Sequence, residues 1–229
     1  ALLATLGVAT SENNVESVIK AEVVLLAVKP QMMAEVCSSL SAVDFSNKLL
    51  ISIAAGISTE RLNALIPSIN SIVRVMPNTP ALVGEGMAGL FAPKNTSENY
   101  RTFAQDLLGT VGRTVWVDDE TQMHAVTAAS GSSPAYFFLM LEAMQQALIK
   151  MNIDEKTARE LVQQSMLGAA KMVTENPQIA LSTLRENVTS KGGTTAAALA
   201  VFDAQHFNQT IEQAMQACLS RSQEMETLF

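Results

Sequence analysis

The sequence has few of the residues that build metal centres or disulfide frameworks, with two cysteines and two histidines among 229 residues. Cys37 and Cys218 lie far apart and form neither a zinc-knuckle spacing nor a disulfide pattern. His124 and His206 are the only imidazoles, so a histidine-based metal site is not expected. Two isolated cysteines fit a reducing, cytoplasmic location.

Positive charge and long apolar runs are also scarce. Fifteen Lys and Arg residues stand against 22 Asp and Glu residues, which gives a net charge of −7. This balance opposes binding to nucleic acid through phosphate neutralisation. No apolar run reaches the ~18 residues that a membrane span needs, and the first residues do not follow the pattern of a secretory leader. The remaining class is a globular protein with one large or two ordinary domains.

Three short apolar runs in the first half predict strands that are buried on both faces. They cover residues 23–28, 49–54 and 72–76, and helix-like stretches at 31–40 and 58–65 separate them. The alternation of strand and helix predicts a doubly wound α/β sheet. Residues 87–91 and 114–117 extend the sheet, with a helix over 97–108 between them.

The pattern changes after Asp119, where apolar residues recur every three to four positions. This spacing predicts an all-helical second half. We place its helices at residues 120–129, 134–151, 154–173, 177–186, 194–202 and 206–226. The predicted domains are therefore residues 1–118 and residues 119–229.

Two sets of segments are candidates for ligand binding. The predicted strand ends carry small residues and prolines, in Ala27-Val28-Lys29-Pro30, Ala54-Ala55-Gly56 and Met76-Pro77-Asn78. Ligands of open α/β sheets bind outside the carboxyl ends of strands, so we expect one cleft that accepts a flat ligand. Asn187–Thr195 forms a loop with Gly192-Gly193 just before a helix, which predicts an anion site for a carboxylate or phosphate.

Four segments in this order resemble the pyrroline-5-carboxylate reductase family. They are Ala27–Gln31, Arg74–Pro80, Ser130–Tyr136 and Asn187–Thr195. The resemblance covers essentially the whole chain. It implies a Rossmann-type domain that binds NADPH or NADH, followed by a helical domain through which two subunits interlock. It also implies the reduction of the C=N bond of L-1-pyrroline-5-carboxylate to L-proline, the last step of proline biosynthesis.

The resemblance assigns the site residues one by one. The cofactor residues that it implies are Asn14 near the adenosine, Ala27, Val28, Lys29, Pro30, Ala54, Ala55 and Gly56 along the ribose and nicotinamide, and in addition Asn78. The substrate residues that it implies are Asn187, Ser190, Gly192, Gly193, Thr194 and Thr195. Thr195 is the catalytic candidate, with its hydroxyl beside the ring nitrogen. No metal is implied.

One family feature is missing from the sequence, which contains no G-x-G-x-x-G fingerprint. In the family this fingerprint belongs to a first βα unit that binds the pyrophosphate. The chain opens at Ala1 with Leu2, Leu3 and Leu6, which look like the tail of a helix capped by Gly7. We therefore expect that the sheet lacks its first βα unit in this chain.

Two alternatives remain open at this point. A β-hydroxyacid-type dehydrogenase would use a helix lysine with an asparagine one turn later, but Lys171 is followed by Glu175. A non-catalytic dimeric scaffold would explain the missing fingerprint, whereas it would not need the Gly192–Thr195 loop.

Overall fold

The computed structural model describes residues 6–228, and its first half is built on a five-stranded sheet. The strands lie side by side in chain order. They are β1 (Val23–Leu26), β2 (Leu49–Ser52), β3 (Ser71–Met76), β4 (Gly86–Phe91) and β5 (Gly112–Trp116). β1, β2 and β3 pair in parallel. The predicted doubly wound α/β class is confirmed.

The sheet reverses direction once, because β4 pairs with β3 in antiparallel orientation. The connection between them is a short 3₁₀ turn at Thr79–Val83 that ends on Gly84 in the left-handed conformation. A parallel pair would need a crossover of about a dozen residues or more, for which this connection is too short. β5 then pairs with β4 in parallel, after a helix.

One short helix precedes β1, and three further helices connect the parallel strands. They are α1 (Asn14–Lys20), α2 (Met33–Ser39), α3 (Thr59–Leu65) and α4 (Glu98–Gly109). Side chains cap three of them: Asn13 accepts the Glu16 N–H at 3.2 Å, Ser58 accepts the Arg61 N–H at 3.1 Å, and Ser97 accepts the Tyr100 N–H at 3.4 Å. Residues 1–5, where the predicted helix tail at Leu2 and Leu3 falls, lie outside the described residues.

The sheet buries both faces, as its apolar strands predict. Leu50 and Ile72 pack with α1, α2 and α3 on one side. Leu49, Ile51 and Val73 pack with β4 and α4 on the other side. Neighbouring residues in a strand face opposite sides, so an unbroken apolar strand requires two cores.

The second half is helical. Its elements are α5 (Gln122–Val126), a π-helical turn (Thr127–Gly131), α6 (Ser133–Lys150), α7 (Glu155–Glu175), α8 (Leu181–Asn187), α9 (Thr194–Ala204) and α10 (Phe207–Leu228). α6 and α7 form a hairpin whose turn uses Asn152 at φ +66°. Asp154 caps α7 by accepting the Thr157 N–H at 3.1 Å. The predicted helix over 120–129 is shorter than expected, because the chain widens into the π-helical turn.

The compact units of the structure differ from the predicted domains. The division falls between Ser132 and Ser133 rather than between residues 118 and 119, and residues 216–228 group with the sheet. The physical reason is burial: Met123, His124 and Ser222 are all buried within the sheet unit. The functional division into residues 1–118 and 119–229 stays a prediction.

No helix within residues 6–228 combines the length and the apolar character that crossing a bilayer requires. The same residues hold no cluster of three or more His, Cys, Asp or Glu side chains arranged to bind a metal ion.

The core of the sheet unit yields a first prediction. Leu90 on β4 is 0% exposed, whereas Val115 on the neighbouring β5 is 42% exposed. We expect Leu90→Ala to lower the free energy of unfolding by about 2–5 kcal/mol, because it leaves a cavity. Val115→Ala should change it by less than about 1 kcal/mol. Urea unfolding at one fixed protein concentration measures both, and equal losses would contradict this core assignment.

Candidate functional site

Three of the predicted site segments meet at one edge of the sheet. The parallel register aligns Leu26 with Ser52 and Ser52 with Arg74, so the chain leaves β1, β2 and β3 in the same direction. Pairing continues one step further, because the Ile53 N–H donates to the Leu26 carbonyl at 3.1 Å. The three segments that follow these strands therefore lie side by side at this edge, as the sequence predicts. We call residues 27–30, 54–56 and 77–80 the first, second and third wall of the edge.

The first wall is open to solvent. Ala27 and Lys29 are exposed, while Val28 and Pro30 are half-buried. Lys29 adopts an extended backbone, and Pro30 starts the 3₁₀ turn Pro30–Met32. The structure thus presents a short extended backbone with small side chains. Asn14 is exposed at the first position of α1, where Asn13 is the capping residue.

The second wall is held tightly. Ala54 is 4% exposed and Gly56 is buried, with φ of +71°. A Cβ on Gly56 would lie 3.0 Å from the Cβ of Met225, which belongs to the last helix. Glycine is therefore favoured at this position for two reasons: the left-handed backbone strains other residues, and an added Cβ would press against Met225.

The third wall is fastened by the Asn78 side chain. Its Nδ2 donates to the Ser130 carbonyl at 3.1 Å, and its Oδ1 accepts the Met87 N–H at 2.9 Å. Asn78 thus joins the end of β3 to β4 and to the π-helical turn. The resemblance implied a cofactor contact for Asn78, whereas the structure shows its amide engaged with backbone groups of the chain itself.

The substrate loop predicted in the helical unit starts at the end of α8. Asn187 and Ser190 are exposed, and Gly192 has φ of +71°. The Gly193 N–H donates to the Ser190 carbonyl at 3.0 Å, which closes a turn. Gly193 then occupies the N-cap position of α9. Glycine has no side chain to cap the helix, so the amides of its first turn remain available to an anion.

Thr194 and Thr195 are the first two residues of α9, and both are exposed. The loop and the first turn of α9 therefore bring all six predicted substrate residues into one stretch of surface. A groove of about 800 Å³ borders this stretch, and of the described residues near the loop Thr189 and Ala196 help to line it.

The cysteines take no part in these segments. Cys37 is buried in the sheet unit, and burial raises the pKa of its thiol, an effect that the positive charge of Arg61 partly offsets. The protonated thiol is therefore favoured at neutral pH. Cys218 donates to the Ser132 hydroxyl at 3.3 Å.

The sequence patterns did not predict a buried polar cluster that lies beside the second wall. Arg74 on β3 is 4% exposed and contacts the carboxylates of Glu120 and Glu226. His124 is buried against Ser222 and Glu226. The available signal was an arginine within an otherwise apolar strand, because a buried charge needs partners.

Comparison with known proteins identifies the family. Residues 120–225 match the family model described as pyrroline-5-carboxylate reductase dimerisation, and residues 1–56 match that of NADP oxidoreductase, coenzyme F420-dependent. A pyrroline-5-carboxylate reductase of Haemophilus influenzae is 94% identical over 229 residues, which are all of this chain and 84% of that protein. The chain belongs to the pyrroline-5-carboxylate reductase family.

Solved structures of the pyrroline-5-carboxylate reductase family share this fold. The enzyme from Coxiella burnetii has a TM-score of 0.90 at 36% identity, covering 97% of this chain and 83% of that one. The Plasmodium falciparum reductase, solved with NADP bound, has a TM-score of 0.87 at 31% identity, covering 94% of this chain and 81% of that one. Family membership decides against the β-hydroxyacid alternative, and Lys171 is an exposed residue of α7.

The two hydrogen bonds of the Asn78 amide, which we call the Asn78 clamp, yield a second prediction. Asn78→Asp keeps the acceptor for the Met87 N–H but places a carboxylate oxygen against the Ser130 carbonyl. We expect a loss of about 1–3 kcal/mol in the free energy of unfolding, because the half-buried Ser130 carbonyl loses its donor and faces a carboxylate oxygen instead. The matched control is Asn95→Asp, since the Asn95 amide donates to the exposed Asn70 carbonyl at 3.1 Å. The control should lose under about 1 kcal/mol, and equal losses in urea unfolding would argue against the clamp.

Proposed function

We propose that this chain reduces the C=N bond of L-1-pyrroline-5-carboxylate to L-proline with NADPH, or with NADH, as the final step of proline biosynthesis. The observation that carries the proposal is the 94% identity with a reductase of this name over the whole chain. The family-model match of residues 1–56 to NADP oxidoreductases supports the cofactor class.

The sheet edge supports the cofactor assignment. Ala27, Ala54, Ala55 and Gly56 offer backbone and small side chains, which leave room for a flat ring and a ribose. Bound NADPH supplies the hydride. In the proposal Ala27–Pro30 and Ala54–Gly56 line the ribose and nicotinamide, and Asn14 contacts the adenosine end. Asn78 keeps this edge in shape through its backbone hydrogen bonds.

The start of α9 supports the substrate assignment. The substrate is a cyclic imine with a carboxylate, and amides at a helix N-terminus attract such an anion. In the proposal the amides of Gly193, Thr194 and Thr195 hold the carboxylate, while Asn187, Ser190 and Gly192 shape the loop. The Thr195 hydroxyl accepts a hydrogen bond from the protonated ring nitrogen and so orients the C=N bond.

This division of labour explains why the site needs few acids and bases. A protonated imine is already electrophilic, so its carbon accepts a hydride while the ring nitrogen keeps its proton. The protein's contribution is then alignment, which accounts for about 7–11 kcal/mol of a barrier in the best cases.

The helical unit supports a homodimer. Within residues 133–215 the buried side chains are Ala158 and Val162, whereas Phe137, Phe138 and Leu139 on α6 are 55%, 63% and 66% exposed. Apolar surface of this extent marks an interface between chains. We propose that a second copy covers it, as the matched dimerisation model suggests. We place the reaction in the cytoplasm, in keeping with two cysteines that form no disulfide.

Thr195 provides the direct test. We expect Thr195→Val to lower kcat on the order of 10- to 100-fold, because the ring nitrogen loses its hydrogen-bonding partner. The KM for NADPH should stay unchanged. The measurement is NADPH oxidation with L-1-pyrroline-5-carboxylate, followed by absorbance, with the exposed Thr102→Val as a control. If the control oxidises NADPH normally and Thr195→Val has the same kinetics as the natural protein, Thr195 does not belong to the site. If the natural protein shows no imine-dependent oxidation of NADPH, the proposed function is wrong.

Gly193 tests the loop. A Cβ at this position would overlap the Ser190 hydroxyl and approach the Ser190 carbonyl to 3.2 Å. We expect Gly193→Ala to raise the KM for the imine roughly tenfold, since Ser190 must move out of place. Gly109→Ala is the control, because a Cβ there meets no atom within 4 Å. An unchanged KM in Gly193→Ala would contradict the assignment of the loop to the substrate.

A further inference from the structure

The buried Arg74 connects two carboxylates that come from distant parts of the chain. Its Nη1 lies 2.9 Å from Oε1 of Glu120 and 2.8 Å from Oε1 of Glu226. One nearly inaccessible guanidinium thus holds both Glu120, two positions before α5, and Glu226, near the end of α10. We call these residues, with Thr59, His124 and Ser222, the Arg74 network.

The first branch of the network holds the start of α3. Glu120 Oε1 accepts the Thr59 N–H at 2.8 Å, and its Oε2 accepts the Thr59 hydroxyl at 2.6 Å. Thr59 is the first residue of α3 and is three positions beyond Gly56. The Glu120 carboxylate therefore anchors the chain on the downstream side of the Ala54–Gly56 segment.

The second branch holds the end of α10. Glu226 Oε2 lies 3.0 Å from Nε2 of His124, and Nδ1 of His124 lies 2.9 Å from the Ser222 hydroxyl. A carboxylate can only accept, so His124 donates to Glu226 through Nε2. Arg74 and His124 together hold Glu226 from two sides, which sets the position of this turn of α10.

The two branches meet at Gly56. Met225 precedes Glu226 and is the residue against which Gly56 packs, at 3.0 Å from the position of a Gly56 Cβ. The network thus fixes both the turn of α10 that packs against Gly56 and the start of α3, which the chain enters just after Gly56.

Stability alone is a weak reason for such a network, because buried ion pairs often gain little over apolar packing. A fixed arrangement of charges does, however, specify one geometry. We propose that the Arg74 network is a positioning device that holds Ala54–Gly56 in the conformation that binds the nicotinamide end of the cofactor. The proposal rests on the proposed function, which places the cofactor at this segment.

Glu226 is the residue to vary, in the natural full-length protein. Glu226→Ala frees Arg74 and His124 on one side, and we expect it to raise the Kd and KM for NADPH about three- to tenfold. The KM for the imine should change less than about twofold, since the substrate loop is not part of the network. Glu226→Gln keeps an acceptor for Arg74 and presents an amide N–H to His124, which accepts it through Nε2 once the imidazole proton moves to Nδ1 and faces the Ser222 hydroxyl. This variant should restore part of the NADPH affinity. Fluorescence titration with NADPH and steady-state kinetics well below the unfolding temperature supply the values.

The matched control comes from the same helix. Glu224→Ala removes a carboxylate that pairs with Arg221 at 2.7 Å, where both side chains are more than 60% exposed. It should leave the Kd and KM for NADPH unchanged. A merely structural role for Glu226 would lower Tm without moving the NADPH constants, and that result would overturn the proposal. If Glu226→Ala does not fold, Glu120→Ala tests the other branch, because it removes the acceptors of Arg74 and Thr59. We expect the same rise in the Kd for NADPH, and an unchanged Kd would overturn the proposal in the same way.

Gly56→Ala separates this proposal from the assignment of the cofactor segment. We expect it to weaken NADPH binding more than Glu226→Ala does, because it disturbs the segment itself. If Gly56→Ala weakens NADPH binding and Glu226→Ala leaves it unchanged, the network has no positioning role, while the assignment of Ala54–Gly56 to the cofactor stands. Unchanged NADPH binding in both variants would overturn the cofactor segment and the network's role together.

Discussion

The parallel pairing of β1, β2 and β3 is the constraint on which the rest of the sheet unit depends. Because these strands share one direction and an aligned register, the chain leaves them at a single edge. The loops found there come from residues 27–30, 54–56 and 77–80, which are remote in sequence. The apolar cores on both faces hold the strands in register, so they also hold the loops beside one another.

The proposed cofactor segment and the proposed substrate segment differ in the groups that they offer a ligand. The sheet edge offers backbone, small side chains and a closely packed glycine, which suit the planar parts of a dinucleotide. The start of α9 offers amides and hydroxyl groups, which suit a small carboxylate. Neither segment contains Asp, Glu or His, in agreement with the proposed reaction, in which a cofactor delivers the hydride and the protein aligns the reactants.

Local patterns in the sequence predict most of this architecture. Apolar runs locate the strands, and the side chains of Ser58, Ser97 and Asp154 mark helix starts that the structure confirms. Two features were not predicted. The antiparallel β4 depends on the length of its connection to β3, and the π-helical turn at Thr127–Gly131 depends on packing that no local pattern encodes.

The Arg74 network shows the limit of such local patterns more sharply. Arg74 and Glu226 are separated by 152 positions, so only tertiary structure brings them together. An arginine in an apolar strand indicates that partners exist without telling which carboxylates they are. The predicted site residues were assigned by family resemblance, and for Asn78 the structure adds a hydrogen-bonding role within the fold that a motif does not reveal.

The exposed apolar face of α6 also has a consequence for how the chain matures. α6 and α7 are neighbours joined by a short turn, so they can pair as soon as both are synthesised. They cannot hide Phe137, Phe138 and Leu139 by themselves. In the proposed homodimer this apolar surface is covered only when two chains meet, in a bimolecular step that accelerates with chain concentration. The sheet unit depends on the order of synthesis in a different way, since residues 216–228 belong to it and are made after the whole helical unit.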